Sequence, residues 1–161
     1  MIRNYRSEKV RAASIEDIEH LSNNMRAADV NEVWSSHRHT PEMALTHSFL
    51  SSAVSWTIVY ENEPVAMFGV SVTSLLSKTG VPWILGTDKI KDVYVEFLRH
   101  SHYYVGQMLK HRTALYNFVD ARNIVSIRWL KWCGFKMLDP IVFGFDGLNF
   151  YPFVMEAKYH V

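Results

Sequence analysis

Asn123-Ile-Val-Ser126-Ile127-Arg-Trp129-Leu130-Lys-Trp132-Cys133-Gly134-Phe135 is the stretch whose reading decides the fold. Residues 123–133 read as a compact helix that ends at Gly134, the C′ position where backbone without a Cβ is favoured. Ser126 is small enough for close helix packing, Ile127 is placed to face a sheet, and Phe135 starts the next strand. Immediately upstream, Thr113 to Val119 has the β-branched and aromatic character of a strand. Before it, from about Asp92, the apolar residues Val93, Phe97, Tyr104, Val105 and Met108 recur at helical spacing and predict a long amphipathic helix. Downstream, Phe135–Leu138 and Phe150–Met155 are expected to pair as terminal strands across Gly144–Gly147.

Further out, Trp56–Tyr60 and Val65–Val70 flank a four-residue polar turn, Glu61–Pro64, and predict a hairpin. The meander continues into Val81–Gly86 after a loop at Leu76–Gly80. Near the start, Val10–Ala13 suits a first strand. Ser14 and Asp17 make a capping-box-like pair, and Ile15, Ile18, Leu21, Met25 and Ala28 predict one helix running to Val30. Thr40-Pro41 signals a second helix, with Met43, Ala44, Leu50 and Val54 as its apolar positions. The order β-α-α-β-β-β-α-β-α-β-β is mixed α/β (α+β), with a central, mostly antiparallel sheet flanked by helices.

The bulk properties agree. A chain of 161 residues, 48% hydrophobic and 20% charged, is sized for one domain over 1–161 with its own core. Seventeen basic against sixteen acidic residues leave a net charge of +1, with no basic run of the kind phosphate neutralisation needs, so no nucleic-acid partner is expected. The single cysteine, Cys133, excludes an intrachain disulfide. The polar opening is unlike a signal peptide, no apolar run reaches membrane-span length, and a cytoplasmic location is expected.

The segment 123–135 resembles the late signature of the GNAT N-acetyltransferases, N-x-x-A-I-x-L-Y-E-K-L-G-F, with Asn123, Ser126, Ile127, Gly134 and Phe135 in register. That resemblance implies a GNAT-like fold and acetyl-CoA as the cofactor, with no metal. It implies cofactor contacts from Trp83, Ile84, Leu85 and Gly86, whose backbone would supply an oxyanion donor, from Lys89 and Lys91, and from Asn123. Two departures stand out. Leu130 replaces the tyrosine that protonates the leaving thiolate in many members. The stretch Gly86-Thr-Asp88-Lys89-Ile-Lys91-Asp92 lacks the glycine-rich pyrophosphate loop and adds carboxylates that would repel the anion.

From Trp83 to Phe135 the chain also resembles the internal virion protein A group of short-tailed phages. The shared features are Trp83, the Asp88 turn, the Tyr104–Leu109 helix and the Asn123–Gly134 segment, with the Met1-Ile2-Arg3 opening and the hairpin around Pro64–Gly69 in addition. This implies contacts with phage structural proteins or a host protein, in the host cytoplasm or the virion.

Among candidate residues, Asp88 is the best-placed carboxylate for a general base, set against its simpler reading as a turn-forming Asp. Cys133, beside the helix-ending glycine, reads as a small buried hydrophobe rather than a nucleophile. His37, His39 and His47, like His100, His102 and His111, lack the regular spacing of a metal site. Trp129, Trp132, Tyr103 and Tyr104 are equally consistent with core packing and with a protein contact. Two functions follow. The favoured one is a phage GNAT-fold protein with degenerate catalytic motifs, acting by contacts in virion assembly or on a host partner. The alternative is an active acetyl-CoA-dependent N-acetyltransferase.

Overall fold

The computed structural model describes residues 9–74 and 76–158; the Met1-Ile2-Arg3 opening lies outside them. The elements run β1 (Lys9–Ala12), α1 (Asp17–Asn23), α2 (Ala27–His37), α3 (Pro41–Ser51), β2 (Ser52–Tyr60), β3 (Glu63–Ser71), β4 (Thr79–Gly86), α4 (Ile90–Leu109), β5 (Ala114–Asp120), α5 (Ile124–Trp132), β6 (Lys136–Met137), β7 (Ile141–Phe143) and β8 (Leu148–Glu156). The strands form one sheet in the order β1-β2-β3-β4-β5-β8-β6, with β7 also on β8. All these pairings are antiparallel except β4–β5.

The β2–β3 hairpin turns on two residues rather than the four expected. Glu61 and Asn62 both hold positive φ (52° and 64°), the twist that two-residue hairpins require. Pro64 therefore lies inside β3, opposite Val59, where a register shift accommodates it. Strand β3 is central and buried along its length, so its alternate side chains feed two cores. Phe68 meets α4, with Trp56, Phe97 and Tyr104 rings 5.1–5.2 Å away. Met67 points to the other face, among Ile18 and Leu21 of α1 and Ala44 and Leu45 of α3.

Four expectations need correction. The single helix to Val30 is two, because Asn24–Arg26 leave helical geometry to bridge β4: Met25 pairs with Thr87, and the Arg26 N–H donates to the Gly86 carbonyl at 2.9 Å. Helix α3 is capped by the Thr40 hydroxyl on Met43 with Pro41 in the first turn, as read, but it buries Ala44 and Leu45 while Met43 and Leu50 stand in solvent. Val54 belongs to β2. In the tail, the Gly144–Gly147 turn joins β8 to β7, and β6 reaches β8 separately.

That turn docks on α2. The Phe145 N–H donates to the Ser35 carbonyl at 2.9 Å. Gly144, at φ +83°, lies so close that a Cβ would sit 2.2 Å from the same oxygen. Gly144→Ala thus combines backbone strain with a clash, and about 2–3 kcal/mol of stability should be lost. Chemical denaturation checks this; an unchanged midpoint would mean the turn does not hold α2.

Candidate functional site

Strands β4 and β5 are parallel neighbours for only two residue pairs, Thr79–Ala114 and Gly80–Leu115. Beyond these they diverge. A cavity of about 690 Å³ passes through the gap, reaching Leu85 and Ala44 on one face and Phe97, Ser101 and Leu130 on the other.

Among the backbone groups along the gap, which must each find a partner or face solvent, one residue stands apart. The Pro82 carbonyl accepts from the Asn117 side chain at 2.8 Å, and the Gly86 N–H donates to Asp29 at 3.0 Å, so both point toward β5. The Thr87 N–H points the opposite way, to Val65 in β3. Strand groups alternate sides residue by residue. Ile84, midway between Pro82 and Gly86, therefore turns its N–H and C=O into the gap, where no strand among the described residues pairs with them. On the facing strand, the Phe118 N–H is taken by the Asn117 side chain at 2.7 Å and the Asp120 N–H by Glu32 at 2.6 Å.

The mouth of the gap is closed by side chains from the start of α2. Arg26 pairs with Asp29 at 2.9 Å and donates to Asn123 (2.8 Å) and Ser126 (3.0 Å). Glu32 accepts from the Asp120 N–H and from the Asn123 amide at 2.9 Å. Asp120 has its own counter-ion in Arg122, 2.7 Å away, which holds its carboxyl low against the effect of burial. Glu32 has none. It is partly buried among protein groups and is one of the residues lining the cavity. Burial above all, with the charges of Asp29 and Asp120 adding to it, pushes its pKa up to about 7. A carboxyl titrating there is suited to exchange protons at neutral pH.

Of the residues singled out in the sequence, Ile84, Gly86 and Asn123 come together at the gap. Asn123 caps α5 through the Ser126 N–H and also positions Glu32. The Trp83 indole is committed to Ser52 at 2.8 Å, and Leu85 is buried in the α1–α3 core. Asp88 lies on an exposed turn, Lys89 pairs with Glu63 at 2.7 Å, and Lys91 is exposed on the first turn of α4. That turn also uses its amides internally, since Thr87 accepts from Lys89 and Ile90. Cys133 is partly buried, and burial raises its thiol pKa. Trp129 is buried against Tyr94 and Tyr104 joins the core, whereas Trp132 and Tyr103 are exposed.

Arg26, Asp29 and Glu32 escaped the sequence reading. The available signal was two carboxylates one helical turn apart, with an arginine three residues before the first. Among the described residues no group of three His, Cys, Asp or Glu side chains is arranged to hold a metal ion, and no helix is long and apolar enough to cross a membrane.

No family model and no curated protein matches the sequence. Solved structures do match the fold. An acetyltransferase of the GNAT family from Streptococcus pneumoniae aligns over 94% of this chain and 100% of its own at 11% identity, TM-score 0.65. AAC(6')-Ib, in complex with ribostamycin and coenzyme A, aligns over 93% of each chain at 15% identity, TM-score 0.65. Spermidine N-acetyltransferase from Vibrio cholerae, in complex with CoA and spermine, aligns over 95% of this chain and 96% of its own at 13% identity, TM-score 0.58. The fold is that of the GNAT acetyltransferases. The GNAT-like architecture expected from residues 123–135 thus extends over nearly the whole chain, N-terminal helices included. The phage resemblance continues to rest on the sequence residues alone.

Proposed function

We propose that this GNAT-fold chain is an acetyl-CoA-dependent N-acetyltransferase acting on a primary amine. The observation that carries the reading is the β4–β5 gap, which presents the unpaired Ile84 backbone and a carboxyl titrating near neutrality to one cavity. A slot between two strand edges fits the narrow amide chain of a coenzyme A arm, and the Ile84 carbonyl offers it an acceptor there. When bound, acetyl-CoA supplies an activated acetyl thioester. The Ile84 N–H is oriented to donate to a carbonyl oxygen gaining negative charge. Glu32, ionised, takes the proton that the attacking amine must lose. Glu32 is preferred to Asp88 as base because it lines the cavity and its pKa is raised, whereas Asp88 is on a solvated turn outside it.

Leu130 lines the cavity at the position where the resemblance would put a tyrosine. Leucine offers no proton there, so a departing thiolate would take its proton from water. A thiol with a pKa of about 8.5 is a good enough leaving group for that route.

The solved relatives that carry coenzyme A support this reading over contacts in virion assembly. Calorimetry with acetyl-CoA is expected to give a micromolar Kd, and thiol release should follow when an amine is added. No binding at millimolar acetyl-CoA would sink the proposal. Asp88→Asn serves as the control and should leave turnover within about twofold, as expected of an exposed substitution away from such a cavity; a collapse of turnover would return the base to Asp88.

A further inference from the structure

Three histidines line the same cavity as Glu32 and Ile84. His37 closes α2, His39 follows the left-handed cap residue Arg38, and His47 lies on α3. The His37 and His39 rings stack with centroids 5.5 Å apart, and His39 and His47 are 5.6 Å apart.

Apart from Glu32 in the same cavity and Asp146, which is paired with Arg38, their described surroundings are cationic or neutral. The Ser36 hydroxyl gives its only proton to the Glu32 carbonyl at 2.7 Å, so at 2.9 Å it accepts from His37 Nδ1. Neutral His37 is therefore the Nδ1–H tautomer, and a second proton on Nε2 turns that nitrogen into a donor. From β7, Phe143 meets His37 edge-on at 6.0 Å. Arg38 is turned to Asp146 and lies over the Trp34 and Phe145 rings. No ion pair among the described residues involves any of the three histidines. Burial first, then repulsion from their neighbours, holds His37 and His39 below the usual imidazole range. Glu32 is the one carboxylate lining the cavity among the described residues.

Clustered imidazoles without a carboxylate each oppose the charging of the next, and an anion placed among them removes that opposition. We propose that His37, His39 and His47 form an anion subsite, so that the acceptor is an amine that also carries a carboxylate, sulfonate or phosphonate group. This rests on the acetyl-transfer reading of the cavity. It adds a division of labour, in which Glu32 deals with the amine and the histidines hold the opposite, charged end.

Sulfate is the probe, because its charge is constant between pH 6 and 8. Titrated calorimetrically into the full chain without acetyl-CoA, it should bind about tenfold tighter at pH 6 than at pH 8, the effect of one additional charge-assisted hydrogen bond. Proton uptake should show as a dependence of the heat on buffer ionisation. The pH dependence should persist in Glu32→Gln, which removes the competing carboxylate, and binding should weaken at least tenfold in the combined His37→Gln, His39→Gln, His47→Gln variant. Affinity independent of pH, pH dependence that disappears in Glu32→Gln, or binding that the triple variant retains would each overturn the subsite. With acetyl-CoA present, 3-aminopropanesulfonate should be acetylated in preference to propylamine, and a preference for propylamine would overturn the acceptor class. Sulfate binding without turnover of either amine would instead overturn acetyl transfer while supporting the anion site.

Discussion

Glu32→Gln is expected to lower kcat by roughly 10²–10⁴, the range general-base removal commonly costs, and to flatten the rise of rate with pH around neutrality. The side chain keeps its size and its acceptor for the Asp120 N–H, so the fold should survive. Stability gives an independent view of the same group. The native carboxyl binds its proton more tightly than the unfolded one, with a pKa of about 7 against 4.5. Below pH 4.5 both states are protonated and the group costs nothing. Between 4.5 and about 7 the native state holds the extra proton and stability falls as pH rises; above that the penalty is complete, on the order of 3 kcal/mol. Glutamine escapes it at the expense of the hydrogen bond from Asn123, about 1 kcal/mol. Hence the variant should be the more stable protein at pH 8 and should lose that advantage in mild acid. A stability difference that ignores pH would show that Glu32 titrates as an ordinary surface carboxylate.

Ile84→Pro should reduce transfer about 10²–10³-fold, the usual loss when one oxyanion donor is removed, with little change in the melting curve. Proline in a sheet interior normally breaks a ladder bond. Here the Ile84 N–H faces the gap, and Pro82, two residues earlier in the same phase, already shows that proline is accommodated on this edge of β4. Ile84→Val keeps the N–H and should stay within a few-fold of the native rate. Equal losses for proline and valine would assign the effect to packing and remove the backbone from the chemistry.

Local chemistry and the hairpin pairings were readable from the sequence, whereas contacts between distant helices and strands were not. Gly134 adopts the positive φ (96°) expected of a helix-ending residue, and Thr40-Pro41 opens α3, because both signals act within one helical turn. The break between α1 and α2 has its cause in the distant Gly86 and Thr87, which recruit Met25 and Arg26. Of the apolar positions expected for α3 only Ala44 is buried, because the face that meets β3 is the one carrying Ala44 and Leu45. Glu32 was invisible for the same reason. Its raised pKa comes from burial beside Asp29 and Asp120, and a glutamate acquires that environment only once β4 and β5 have separated. Ile84 lay within the stretch expected to contact the cofactor, and the alternation of backbone direction then distinguished it from its neighbours.

The two-pair seam between β4 and β5 also bears on how the molecule comes apart. It divides the sheet into two blocks, β1–β4 and β5 with β8, β6 and β7, whose strands pair directly only at the narrow end, the Asn117 side chain and, from the start of α2, Arg26 and Glu32 bridging the rest. A molecule lodged in the gap would act as a removable strand, riveting one block to the other. Its binding energy would appear as added coupling between the two blocks. At a ligand concentration of 100 times Kd the gain is about 2.7 kcal/mol. Amide hydrogen exchange should show it as slowed exchange at Ile84, while the β2–β3 hairpin, far from the seam, changes least.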